Sequence, residues 1–407
     1  MNDLTAPSIE SGYAWWLAAL ALLIASISFA AATCVPLLLK PMQADLGAST
    51  ESLAMVHMAM LFGAGFGGLL FGRVSERVGF FPLALIGALA ISAGLAGTAL
   101  AQSVTTLMAC VGLLIGFFGQ GIFFSPMAGQ LSQWFDRHRA LAIAIVASGQ
   151  GAGGLFLAPV LRVSAQHWGW RETLAGFAVG GGALLLACVL AFRRIPPTQV
   201  RERVLTAPEP SVLSQTANTR SATLVWGLGA CLALSCFATF LVIGHITAAA
   251  EEAGVAPALA AMLVSTMLGT SLITRLGAAT LGTRWGHYRT VLWASICHGM
   301  GSAALAWSVG SSMTGMVAGV GLMGIGFGAY LPGYAVLVRE FFPAHQAGRR
   351  IGEVNFLAFI TSGLGSFAGG SLHDMSGDYR LAFAATVAAN VLGLMGLLRL
   401  RRVLRTC

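Results

Sequence analysis

The sequence predicts an all-α membrane protein of twelve transmembrane helices in two six-helix sets, and three observations carry that expectation. Only 9% of the 407 residues are charged and 57% are hydrophobic, whereas a soluble domain carries about 25% charged residues. The apolar blocks have helical length, not the ~10-residue alternation of outer-membrane barrel strands. One polar stretch, "RRIPPTQVRERVLTAPEPSVLSQTANTR" (Arg193–Arg220), rich in Pro, Ser, Thr and Arg, divides the blocks into two groups.

In chain order the first six blocks lie near 14–39, 52–72, 82–101, 105–130, 140–162 and 173–192. Six more lie near 222–248, 257–281, 290–309, 312–338, 351–371 and 380–398. This gives an N-terminal bundle over 1–192, a linker over 193–221 and a C-terminal bundle with a short basic tail over 222–407. The first block lacks a small-residue cleavage site followed by a soluble domain, so it reads as a retained span, not a signal peptide. Cys34, Cys110, Cys188, Cys231, Cys236 and Cys297 fall in apolar segments without paired spacing, which points to packing and not to disulfides or a metal.

The net charge of +8 is mostly arginine in short connections. That is a topology signal, not a nucleic-acid surface. With both termini cytoplasmic, eighteen arginines fall on inner connections and the tail, against Lys40, Arg162, Arg171 and Arg380 outside. The halves also repeat. "GRVSERVG" (Gly72–Gly79) after span two is echoed by "GTRWG" (Gly282–Gly286) after span eight, and "FSPMAGQLSQWF" (Phe124–Phe135) by "YLPGYAVLVREF" (Tyr330–Phe341). Paired repeats of this kind place a binding site between halves at the midplane.

Six plus six spans with a basic glycine turn after spans two and eight resemble the major facilitator superfamily, with Glu76 where its inner-loop signature usually has Asp. "SGYAWWLAAL" (Ser11–Leu20) resembles the opening of the monocarboxylate transporter family. "WFDRHRALAIAIVASGQGAGG" (Trp134–Gly154) resembles a fifth-span motif shared by that family and by oxalate/formate antiporter-like proteins. The resemblance implies a major facilitator fold, a carboxylate substrate and a carboxylate-binding role for the eighth-span arginine, Arg275. Departures narrow it further. Ser271 stands where proton-coupled members often carry Asp, Lys40 lies too far out to be the animal members' first-span lysine, and span eleven lacks the lysine of oxalate exchangers. One buried cation suits one carboxylate, which favours a monocarboxylate. Phe117 stands where drug and sugar carriers commonly have arginine, and span five lacks the Gly-Pro of drug antiporters.

Arg275 is the one ionised residue between Glu252 and Arg284, and a charge at membrane depth costs ~2.5–3.5 kcal/mol. Its guanidinium suits a bidentate carboxylate, though backbone carbonyls or the inner surface would also receive it. Tyr330 and Tyr334 share a helix face and offer phenol donors; Asn355, Gln120 and Ser271 complete the substrate-binding candidates. His245 and Glu252, two turns apart, are the proton-coupling candidates, with His57 a lesser one and His298 read as packing. Glu76, Arg77, Arg284 and Glu353 are candidates for a cytoplasmic gate. No nucleophile–base pair, metal cluster or phosphate loop is apparent, so no enzyme, cofactor or metal is expected; "GQGAGG" sits inside a span without the lysine a nucleotide loop needs. The expected protein is a proton-coupled monocarboxylate carrier of a bacterial inner membrane, sufficient as a monomer. Anion exchange and a non-transporting carboxylate sensor are the alternatives.

Overall fold

The computed structural model describes residues 10–135, 138–194, 218–341 and 344–404. Within them the chain forms twelve rods. In the first half, α1 is Gly12–Ala32, α2 Thr50–Val78, α3 Phe80–Leu100 and α6 Trp170–Leu190. Rod α4 runs from Val104–Leu107 through the π-wound Met108–Gln120 and Gly121–Phe123 to Ser125–Ser132. Rod α5 joins Arg139–Ala152, a π-turn at Gly153–Leu157 and Ala158–Trp168. In the second half, α7 is Asn218–Glu252, α8 Pro257–Trp285, α9 His287–Ser308, α10 Met313–Phe341, α11 Ala344–Ser376 and α12 Arg380–Leu404. Most of the linker, 195–217, lies outside the described residues.

Ten stretches among the described residues are long and apolar enough to cross a membrane by composition alone. The rods that fall short are α9 and α11, which carry His298, Asn355 and a series of buried serines. Such residues belong on helices turned toward protein, not lipid. Apolar side chains left exposed, among them Leu89, Phe156, Val179 and Trp307, cover the outer faces of the rods.

The repeat seen in the sequence has a backbone counterpart. Gly79 and Gly286, the last residues of the two echoed motifs, both hold positive φ (82° and 88°) and turn α2 into α3 and α8 into α9. Gly169 and Gly377 do the same between α5 and α6 and between α11 and α12 (φ 87° and 76°). A residue with a Cβ is strained in this region, so glycine ends each helix sharply.

On the face opposite the termini the halves are held shut by cross-half contacts. Lys40 bonds Glu252, and Arg162, itself buried, bonds Glu251. Glu51 accepts from Ser371 Oγ at 2.8 Å, and its backbone N–H donates to Asp374 at 2.9 Å. Arg171 pairs with Asp45 within the first half, and Arg380 lies near Asp378 within the second. Each of the four basic residues assigned to this face from the sequence therefore has an acid beside it.

Candidate functional site

Between the halves lies a small, partly open cavity, walled by Phe124 and Gln150 from the first half and by α7, α10 and α11 from the second. Asn355, Phe327, Cys236 and Ser362 are part of that wall. Its position follows from glycine. Gly149 and Gly153 of α5 sit on α1 at Ala25 and Ser26, while Gly151 and Gly154 sit on α8 at Leu268 and Leu272. The "GQGAGG" segment is thus what lets α5 lie between α1 and α8 in backbone contact.

Arg275 projects from α8 into this seam and is 3% exposed. Its Nη1 donates to the Ala147 carbonyl of α5, and its guanidinium carbon stands 5.6 Å from the ring of Phe327 in the cavity wall. Its Nε and Nη2 have no partner among the described residues. Neither does the buried Ser271 hydroxyl one turn away, nor Gln150 Oε1 at the cavity itself. A buried donor left unpaired costs about 1–3 kcal/mol, and more when charged. A guanidinium edge with two free N–H groups matches the two oxygens of a carboxylate.

The other candidates separate into groups. Asn355 is on the cavity wall, and Gln120 is buried in α4 one turn before Phe124. The Tyr330 hydroxyl is 2.7 Å from Thr239 and its phenol lies within electrostatic range of Arg275, while Tyr334 turns toward Ser295 of α9. The two rings remain neighbours at 6.5 Å, so they share a face, but that face looks at α7 and α9. His245 and Glu252 do not touch. Glu252 is engaged by Lys40 and His373 at the sealed face; His245 Nε2 is 2.8 Å from the Ser366 carbonyl, deeper in. The ring of Tyr379 stands between them, 4.3 Å from His373 and 5.5 Å from His245. His57, from the first half, reaches the same Ser366 through its hydroxyl at 2.7 Å.

Of the gate candidates, Arg77 and Arg284 are exposed, Glu353 is half-buried and partnered, and the Glu76 side chain lies outside what is described. Sequence reasoning passed over Gln150, Thr239, Ser362, Ser366, His373 and Asn390, and read Cys236 as packing. Gln150 and Asn390 had a usable signal, an amide inside an apolar span. The small hydroxyls and the thiol had none.

The family model of the Major Facilitator Superfamily matches residues 20–316 and 228–405. The chain belongs to the major facilitator superfamily. Among its superfamily relatives, Monocarboxylate transporter 11 of Homo sapiens is 25% identical over 98% of this chain and 85% of its own length. Monocarboxylate transporter 13 of Bos taurus is 26% identical over 79% of this chain and 74% of its own. The MFS transporter asaE of Aspergillus flavus is 29% identical, but over 64% of this chain and 58% of its own length. Among solved structures, a D-xylose–proton symporter overlays with a TM-score of 0.74 at 15% identity, covering 95% of this chain and 97% of that one. A bacterial homolog of the human lysosomal transporter Spinster, inward-facing and occupied, gives 0.71 at 16% identity, with 97% and 98% covered. These overlays establish the shared fold. The protein is a multi-pass membrane transporter of this superfamily.

Proposed function

We propose that the protein moves a small monocarboxylate of the lactate or pyruvate class together with a proton by alternating access. Both termini face the cytoplasm, in a bacterial inner membrane, and the monomer is the working unit. The bundles over 1–192 and 222–407 rock about the cavity, joined by the 193–221 linker. The observation that carries the reading is the buried Arg275 guanidinium, whose Nε and Nη2 have no partner among the described residues, beside Phe327 in the wall of the central cavity. An anion docked there satisfies both groups and neutralises the charge, so the loaded carrier closes more readily than the empty one. Asn355 and Gln150 line the space the substrate's carbon end would occupy, Ser271 offers a hydroxyl beside the guanidinium, and Tyr330 lies behind the wall. The relatives named monocarboxylate transporters support the same substrate class.

Protons enter on this reading from the side now sealed, where Glu252 contacts His373 and His245 lies behind Tyr379. The test is uptake of lactate and pyruvate into vesicles containing the purified protein under an imposed inward proton gradient. Accumulation that collapses with the gradient and is lost in Arg275→Gln is the expected result. Uptake only into vesicles preloaded with a counter-anion would instead make the protein an exchanger. Binding without accumulation would make it a sensor.

A further inference from the structure

Behind the cavity wall runs a line of buried polar side chains that the carboxylate site leaves unused. Tyr330 Oη is 2.7 Å from Thr239 Oγ1, Thr239 Oγ1 is 2.9 Å from His298 Nε2, and His298 Nδ1 is 2.8 Å from Asn390 Oδ1. All four side chains are buried, from four different helices, α10, α7, α9 and α12. The direction of the line can be read. Asn390 spends both amide hydrogens, on Ser302 Oγ at 2.8 Å and on the Thr386 carbonyl at 2.9 Å. Its oxygen therefore faces the ring, and His298 Nδ1 is the nitrogen that carries the hydrogen. Ser302 closes the far end by donating to the His298 carbonyl at 3.1 Å.

With His298 neutral, Nε2 is an acceptor. Every donor is then matched when Tyr330 donates to Thr239 and Thr239 donates to Nε2. With His298 protonated, Nε2 becomes a donor to Thr239 Oγ1, and the threonine hydrogen already has another acceptor, the Ser235 carbonyl at 2.9 Å. The network thus has two complete hydrogen-bonded arrangements that differ by one proton. A histidine held only for packing needs just one.

The line also has an address. Cys236 lines the cavity and its thiol is in hydrogen-bond contact with Tyr330 and with Ser362. Ser362 is one turn of α11 from Ser366, the residue that both His57 and His245 reach. The titratable group against His298 is Tyr330 on α10, which in turn has Cys236 of α7, Tyr334 of α10 and Arg275 of α8 around it; α12 offers the amide of Asn390. No described carboxylate acts on the ring. The countercharge for an imidazolium must come from an anion in the cavity.

We propose that His298 holds the co-transported proton, and that Thr239 and Tyr330 carry it between His298 and a carboxylic acid docked at Arg275. The proposal rests on the carboxylate–proton reading above. In the step, the acid's O–H bond breaks and its proton passes to Tyr330 Oη. The phenol's own proton passes to Thr239 Oγ1, and the threonine proton to His298 Nε2. A carboxylate and an imidazolium result, with no electrons transferred and no proton gained or lost overall. Reversal regenerates the neutral acid. Proton and anion then favour each other's binding because the carboxylate paired with Arg275 also attracts the imidazolium.

The experiment is calorimetry of pyruvate and lactate binding to the full chain in nanodiscs, near about pH 6, in two buffers of different ionisation heat. Wild type is expected to take up about one proton per anion, with affinity falling by up to about tenfold per pH unit at higher pH. His298→Gln and Thr239→Val are expected to bind the anion without that uptake, whereas Thr239→Ser, which keeps the hydroxyl, retains it. Having two variants on different helices guards against one failing to fold. Uptake that persists in His298→Gln or in Thr239→Val overturns the proposal. Wild-type binding without uptake overturns it too, while leaving the carboxylate site standing. Absence of binding to wild type removes the carboxylate reading and this inference together.

Discussion

Replacing Arg275 with glutamine should uncouple stability from function. Arg275 is 3% exposed and among the described residues has one hydrogen bond, to Ala147, with Nε and Nη2 unpartnered. Burying such a group costs ~2.5–3.5 kcal/mol, and one hydrogen bond to a charged group returns about 1.5–3 kcal/mol. Gln removes the net penalty, so the variant should unfold at the same temperature as wild type or a few degrees higher. A bound carboxylate loses two charge-assisted bonds, about 3 kcal/mol or more, which is roughly a hundredfold or greater loss of affinity. Arg275→Lys keeps the charge but not the fork and should lose about tenfold. The assay pairs thermal unfolding in detergent with carboxylate binding on the same preparations. A Gln variant that melts several degrees lower yet binds normally would show that the arginine is a structural strut, and would refute the argument.

Three further outcomes follow from the geometry. Glu252→Gln removes the acid that meets both Lys40 and His373 at the sealed face; those partners are about one third exposed or less, so the loss is about 0.2–1 kcal/mol. A shift of a few-fold toward opening on that side is expected, read as faster modification of a cysteine introduced at Ala54, which packs on Gly370 across the seam. Asp374 is subject to burial, which alone would raise its pKa, but the Glu51 N–H, His373 and Thr50 together hold it below the ordinary carboxylate value. A depressed carboxylate stabilises above its unfolded pKa and loses that contribution as pH falls through the folded one. The seal should therefore loosen below about pH 4 and not near neutrality, checked by the same labelling rate against pH. Gly151→Leu should stop transport, because a Cβ there meets Leu272 Cβ at 2.8 Å and the Leu268 carbonyl at 2.9 Å, forcing α5 from α8. A leucine variant with normal uptake would show that the two helices need no close approach.

The rods and the turns were legible because each rests on local chemistry. Gly79 and Gly286 stood in echoed motifs, and both prove to be positive-φ helix ends. Arg275 was legible because a lone charge in an apolar span is conspicuous at any register. What periodicity could not supply was which neighbour a face meets. Tyr330 and Tyr334 do share a face, but the helix it looks at is decided by packing among α7, α9 and α10. His298 looked like filler for the same reason, since Thr239 and Asn390 lie 59 and 92 residues... away along the chain from it and only the fold brings them to its two nitrogens. Gln150 was hidden inside a glycine motif whose spacing drew the eye to its neighbours. Thr239 and Ser362 are ordinary residues for any membrane helix, made specific by what they touch.

The glycine-lined passage of α5 between α1 and α8 has a mechanical corollary. On the α1 side Gly153 rides on the main chain of Ser26, while on the α8 side Leu268 and Leu272 rest in the glycine notches, so the joint behaves as a shallow-grooved bearing with little to lift over. Its resting register is then set by the few hooks that cross it, Ser265 to the Gly154 carbonyl at 3.0 Å and Arg275 to the Ala147 carbonyl. One of those hooks is the same side chain whose remaining valences wait for an anion, so cargo and pivot share a single part.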